Sequence, residues 1–192
     1  MRSPALLLFA LPTLLLAGCL DGPIGNYELG SATVATSCSG VDSTRASAWS
    51  DALNANPASD LEVGRASSSD PPVAMLFRDD ASLFFTQLIQ DPADQYLWTG
   101  SREVGETTVA EAKLGSDYSA LLEADGQCTF DLIVDAELAF QDSSWDRLTA
   151  TFVITVDEAD GGDPCDLTSC SAELAFGASH SDGLNPGIQP TE

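Results

Sequence analysis

Positive charge is what this chain has least of. Its 192 residues hold 7 Lys and Arg against 30 Asp and Glu, a formal net charge of −23. Lys113 is the one lysine and His180 the one histidine. Binding nucleic acid requires a basic face that displaces counterions, so nucleic acid is not expected as a partner. Anionic lipid surfaces would repel the body of the protein for the same reason. The shortage of His and Lys also removes most routes to acid–base or nucleophilic catalysis at neutral pH, and the chain reads as a non-enzyme. The acidic excess itself reads as a solvated exterior.

Long apolar runs are confined to one place. After the first 20 residues no stretch approaches the ~20 apolar residues that a membrane span requires. Residues 1–18 have the layout of a cleaved signal peptide, with Arg2 as the charged region and Ala5 to Ala17 as the apolar core. The core ends in Leu16-Ala17-Gly18-Cys19. An aliphatic residue, two small residues and a Cys in that order resemble the lipobox of bacterial lipoproteins. The resemblance implies cleavage before Cys19 and acylation, including palmitate-type chains, on Cys19. One acyl chain holds a protein marginally and two or three hold it stably. Residues 19–23 would then be an acylated tether, with the membrane as partner through Cys19. The residue after Cys19 is Leu20, and Asp21 stands one place later than the Asp that resembles an inner-membrane retention signal. By that resemblance the address is the bacterial cell envelope at the outer membrane, on its periplasmic or surface face.

The body, residues 24–180, is organised around the stretch from Cys128 to Asp157. Phe130, Leu132, Val134, Ala136, Leu138 and Phe140 alternate with Asp131, Ile133, Asp135, Glu137 and Ala139. Period two with one apolar face predicts a half-buried strand. Asp142-Ser143-Ser144 supplies turn residues. Leu148, Ala150, Phe152, Ile154 and Val156 then repeat the pattern, which predicts an antiparallel hairpin. A hairpin cannot bury that face alone, so other strands must cover it.

The remaining segments read as those strands. Ile24 to Thr36 is a first strand. Residues 39–72 form a loop-rich insertion, with a short helix over Ser43 to Leu53 that places Ala46, Trp49 and Leu53 on one side. Strands are expected over 73–78, 83–90, 96–104, 107–114, 118–124 and 172–178, and residues 181–192, with Pro186 and Pro190, as a flexible tail. Eight or nine short strands without a long helix predict an all-β fold, an antiparallel meander forming a small up-and-down barrel or a sandwich. Gly25-Asn26-Tyr27 resembles the Gly-x-Trp of the first lipocalin strand, with Tyr in the Trp position. That resemblance implies a lipocalin-like barrel and a small apolar ligand.

If Cys19 is acylated, Cys38, Cys128, Cys165 and Cys170 remain, an even number that suits disulfides in an oxidising compartment. The short spacing of Cys165 and Cys170 suggests a loop clip, which leaves Cys38 with Cys128. The acidic run containing Asp157, Asp160, Asp163 and Asp166 offers hard oxygens for Ca²⁺ but lacks the EF-hand order, and a solvated turn is the plainer reading. No other metal and no cofactor is expected. Ser179-His180-Ser181-Asp182 contains triad residue types, but sequence neighbours cannot face one another as nucleophile, base and orienter. Trp49, Trp98 and Trp145 read as core, or as ligand-binding if they line a barrel mouth. The functional expectation is therefore a lipid-anchored envelope protein with a binding or structural β module. A carrier of a small apolar ligand and a scaffold for another envelope protein are the alternatives.

Overall fold

A computed structural model describes residues 23–65, 67, 69–77, 83–112, 118, 121, 128–158 and 169–181. The signal segment, Cys19, Cys165, the acids Asp160, Asp163, Asp166 and Asp182, and the expected tail beyond Ser181 lie outside the described residues.

Among the described residues nine antiparallel strands make one sheet. They are β1 (Gly25–Ser39), β2 (Asp60–Gly64), β3 (Val73–Phe77), β4 (Leu83–Gln87), β5 (Ile89–Gln90), β6 (Leu97–Thr107), β7 (Phe130–Phe140), β8 (Arg147–Glu158) and β9 (Ser169–Ser181). The order in the sheet is β4-β3-β2-β1-β9-β8-β7-β6-β5, and β4 also lies against β6. The sheet thus curls into a nearly closed small barrel. Only Leu88 separates β4 from β5. The first pairs with β3 and the second with β6, so 83–90 acts as one bent strand handed from one neighbour to the next. Counting that pair as one leaves eight strands from nine, the even number that lets β1 and β9 close antiparallel.

The closing seam depends on a glycine. A Cβ on Gly100 of β6 would collide with the Gln87 carbonyl oxygen of β4 and would stand 2.9 Å from Thr86 Oγ1. Only a residue without a side chain lets the two strands approach this closely.

The expected hairpin is present. Phe130 pairs with Glu158 at one end of β7–β8 and Phe140 with Leu148 at the other. Every even-numbered residue from Phe130 to Phe140 and from Leu148 to Val156 is buried. Cys170, Ala172, Leu174, Phe176 and Ala178 supply the same face from β9. The chain's first and last strands are neighbours through a long ladder from Asn26↔Ser181 to Ser39↔Ser169, with an irregularity between Leu29 and Ala32.

Strand lengths divide the barrel into two halves. At the upper end, β2, β3, β4 and β5 complete the ring with the ends of β1, β6, β7, β8 and β9. At the lower end only β1 and β6 to β9 continue. There α1 (Ser43–Ala55) packs against β1, burying Trp49 and Leu53 as their helical spacing requires. Trp49 meets Tyr118 edge-on at 5.5 Å, and the Arg45 guanidinium donates to the Leu121 carbonyl. Asp42 caps α1 by accepting from the Thr44 N–H at 2.8 Å.

Three expectations are corrected. Of the strand expected over 107–114, the described residues 107–112 do not form one: β6 runs to Thr107 and helix α2 (Val109–Ala112) follows. Thr108 and Glu111 form a reciprocal capping box, Glu111 Oε2 accepting from the Thr108 N–H at 3.1 Å and Thr108 Oγ1 from the Glu111 N–H at 3.3 Å. Tyr118 and Leu121, placed in a further strand by the sequence reading, are also helical. The 39–72 insertion is more ordered than its composition suggests, since it contains β2 between β1 and β3.

The disulfide pairing is also different. Cys38 is bonded to Cys170, with Cα atoms 4.1 Å apart, so neither Cys38–Cys128 nor Cys165–Cys170 forms. The reason is register: β1 and β9 place Cys38 directly opposite Cys170. Cys128 is also disulfide-bonded, to a partner outside the described residues.

Candidate functional site

The upper end of the barrel collects most of the chemistry. Tyr27 is on the inner face of β1, fully buried. Its ring meets Phe140 at 6.0 Å and His180 at 5.5 Å, both edge-on. Phe140 in turn meets Trp145 at 5.0 Å, and Trp145 meets Tyr96 at 6.0 Å. A continuous aromatic path therefore runs from the interior, through Phe140, to half-buried Trp145 and Tyr96 at the rim.

Trp145 holds an unusual backbone conformation. Its φ is 60°, the left-handed region that non-glycine residues seldom occupy and bulky ones least of all. The turn imposes it. Asp142 Oδ1 accepts from the Ser144 N–H at 2.8 Å, the Asp142 carbonyl accepts from the Trp145 N–H at 3.4 Å, and the Gln141 N–H reaches the Arg147 carbonyl at 3.0 Å. Those Ser144 hydrogen bonds hold the Asp142 carboxyl below the usual carboxylate range. Strain of this kind is retained where the surroundings over-determine it, and here the indole is held between Phe140 and Tyr96.

Beneath the rim lie hydrogen-bonding groups with nothing to bond. Tyr27 Oη, Thr86 Oγ1, Trp98 Nε1 and Arg65 Nε are buried and make no hydrogen bond. Each such group costs roughly 1–3 kcal/mol if left unmatched. Tyr27 is 1 %, Thr86 0 % and Trp98 7 % exposed. Arg65 follows β2 in the parity of inward-facing Leu61 and Val63. Thr86 faces Gly100 across the seam, and Trp98 is two residues before Gly100 on the same face. Burial, with a smaller effect from the Asp146 carboxylate, pushes the Tyr27 hydroxyl up to about 12, so it stays a donor at neutral pH.

Charge is segregated between the two faces. Glu28, Asp60, Glu62, Glu103, Asp131, Asp135, Glu137 and Glu173 all occupy outward strand positions. The inward positions of the upper ring carry no carboxylate among the described residues. They carry Arg65 at the end of β2 and His180 at the rim, with Arg102 one step below Gly100 on β6, opposite buried Val134. Burial lowers the Arg102 guanidinium from its ordinary value. Asp146 is the nearest acid, exposed in the turn above Tyr27.

The other sequence candidates are dispersed. Ser179, His180 and Ser181 alternate across β9, and the His180 ring packs over Gly25, where a Cβ would stand 2.6 Å from its Cδ2. His180 also presents its backbone N–H to the Asp146 carbonyl at 2.6 Å. Asp157 is not in a loop but in β8, opposite Asp131 and Ser169. No cluster of three His, Cys, Asp or Glu able to hold a metal occurs among the described residues. Trp49 and Trp98 are buried, and Trp145 is the tryptophan at the mouth. On the outer face a groove of about 570 Å³ is lined by Ile89, Thr99, Ser101, Asp135, Glu137 and Val153.

Arg65 and Thr86 were not singled out as site residues from the sequence; Trp145 was named with Trp49 and Trp98 as core or mouth, but its strained backbone was not. The four-residue turn of 142–145 was the one available signal for Trp145, since its last position often demands positive φ. No described helix is long and apolar enough to cross a membrane. No known protein family, curated protein or solved structure matches the chain, so the fold defines a class, the small antiparallel barrel, and no family.

Proposed function

We propose that this chain is a lipid-anchored, non-enzymatic binding module of the bacterial outer membrane, tethered through acyl chains on Cys19 and binding through the upper end of its barrel. The observation that supports it most is the position of Gly25. β1 starts at the upper end, beside His180 and Tyr27. Cys19 precedes Gly25 by six residues (25 − 19). At ~3.3–3.6 Å per extended residue, an anchor there keeps the aromatic rim within about 20 Å of the acyl chains. Trp and Tyr at a rim beside a membrane are amphipathic groups in the zone they favour.

The test is metabolic labelling of cells with an alkyne-bearing palmitate analogue. Label is expected on the wild-type chain in the outer-membrane fraction and absent from Cys19→Ser, which should accumulate as a precursor. Label retained by Cys19→Ser would remove the anchor. A scaffold role is the second reading, favoured by Ile89, 71 % exposed at the margin of the outer groove. Crosslinking from that position to another envelope protein would move the binding face from the rim to the groove.

A further inference from the structure

We infer that the upper end of the barrel is a head-group site for a monoanionic amphiphile, a long-chain carboxylate held head-inward by Tyr27, Thr86, Trp98 and Arg65 with its chain running out along Phe140, Trp145 and Tyr96. The inference deepens the binding reading above and rests on it only for the choice of the upper end.

The head group follows from the donors. Trp98 Nε1 and Arg65 Nε can only donate, and Tyr27 and Thr86 can donate through their hydroxyls. All four atoms are buried without a partner. A ligand that matches them must bring acceptors, and a carboxylate brings two oxygens with about four lone-pair sites. The inner face of the upper ring offers Arg65 and His180 and no described acid, the nearest carboxylate being exposed Asp146 in the turn above Tyr27. The contrast with the rest of the molecule is the point. In a chain of net charge −23, two of seven Lys and Arg, Arg65 and Arg102, stand half-buried at positions of inward parity. The acidic exterior does not forbid an anion from entering, because exposed charges are screened beyond about 8 Å at physiological ionic strength, while a half-buried group such as Arg65, with its Nε out of solvent, is screened less.

The tail follows from the ring contacts. Tyr27–Phe140, Phe140–Trp145 and Trp145–Tyr96 are each within 6.0 Å between centroids, and they lead outward from the buried hydroxyl to the rim. They form an apolar track that begins where the donors end. Entry follows from the seam. Among the described residues the stretch of 83–90 belonging to β4 meets β6 without a ladder, the ladder resuming at Ile89↔Thr99 and Gln90↔Trp98, and Thr86 and Trp98 flank that gap. A stretch without a ladder separates at lower cost than a laddered one.

The experiment uses full-length protein and three probes: palmitate, its methyl ester and 9,10-dibromostearate. Calorimetry is expected to show palmitate binding, with the ester at least about tenfold weaker, the loss typical of one charge-assisted hydrogen bond. Arg65→Gln and Thr86→Val should each weaken palmitate by a similar factor and leave the ester unchanged. Dibromostearate should quench Trp98 and Trp145 and spare Trp49, which is at the helix-covered end; Trp145→Phe should remove part of the quenching. Native mass spectrometry and circular dichroism confirm that each variant is folded. No palmitate binding by folded wild type would overturn the inference, and so would equal binding of acid and ester. Either result leaves the labelling outcome at Cys19, and with it the anchored module, intact.

Discussion

Gly100 and Gln87 meet where β4 lies against β6, just before the ladder of Ile89 with Thr99 begins, and no side chain fits between them. Replacing Gly100 with Ala forces β6 from β4. Overpacking of this kind costs ~1–3 kcal/mol, and for a chain of this size each kcal/mol lowers Tm by roughly 2–4 °C. Thermal unfolding followed by circular dichroism should show that loss. Amide exchange should quicken at Thr86 and Gln87 and leave the β7–β8 hairpin unchanged. An unchanged Tm would mean that the ring closes without this contact.

The Cys38–Cys170 bond spans 132 residues. In the chain-entropy model a loop of that size is worth about 5 kcal/mol. The double substitution Cys38→Ala, Cys170→Ala should therefore lower the denaturant midpoint more than any single surface change. Non-reducing peptide mapping should recover a linked pair of peptides around residues 38 and 170. A peptide joining Cys38 to Cys128 would contradict the β1–β9 register itself.

Tyr27 gives a signature at high pH. Its hydroxyl is held protonated up to about 12, by burial and then by the Asp146 carboxylate. A folded-state value raised above that of the unfolded chain contributes stability present below the unfolded pKa of about 10 and lost as pH rises toward the folded one. Denaturant unfolding should accordingly weaken between about pH 10 and 12, and Tyr27→Phe should flatten that decline. Ultraviolet titration should show a late-ionising tyrosine in the wild type that Tyr27→Phe lacks. A Tyr27→Phe protein with the same alkaline decline would assign the effect to another group.

Trp145 separates backbone strain from side-chain packing. Trp145→Ala keeps the positive φ and loses the ring contacts to Phe140 and Tyr96. Trp145→Gly loses the same contacts but accepts the φ freely. The glycine variant should be more stable than the alanine one by roughly 1 kcal/mol. Both should lose near-ultraviolet circular dichroism from the rim. Equal stability of the two would show that the turn relaxes out of the left-handed region when the indole is removed.

The legible part of the fold was the part with local periodicity. Strands β7 and β8 are long and alternate without a break, and each side chain from Phe130 to Val156 lies on the face that alternation assigned. The same habit misled at 107–114, where Ala110, Ala112 and Leu114 mimic a strand face while Thr108-Val109-Ala110-Glu111 spells a helix start. Partner choice between distant strands has no local trace. Cys165 and Cys170 are close in sequence, yet Cys170 stands opposite Cys38 because β9 returns to β1. The candidate site was hidden for a similar reason. Arg65 and Thr86 belong to five-residue strands or their ends, each with two inward positions at most, and nothing in such short patterns tells that they share a ring with Tyr27 and Trp98.

The longest ladder in the molecule joins the first strand to the last. Until β9 has been made, β1 has only four residues paired among the described ones, all to β2. Closure of so wide a loop is slow as well as late. The hairpins β2–β3 and β7–β8 can therefore form early from their own stretches of chain, while the ring itself stays open until the last strand is in place.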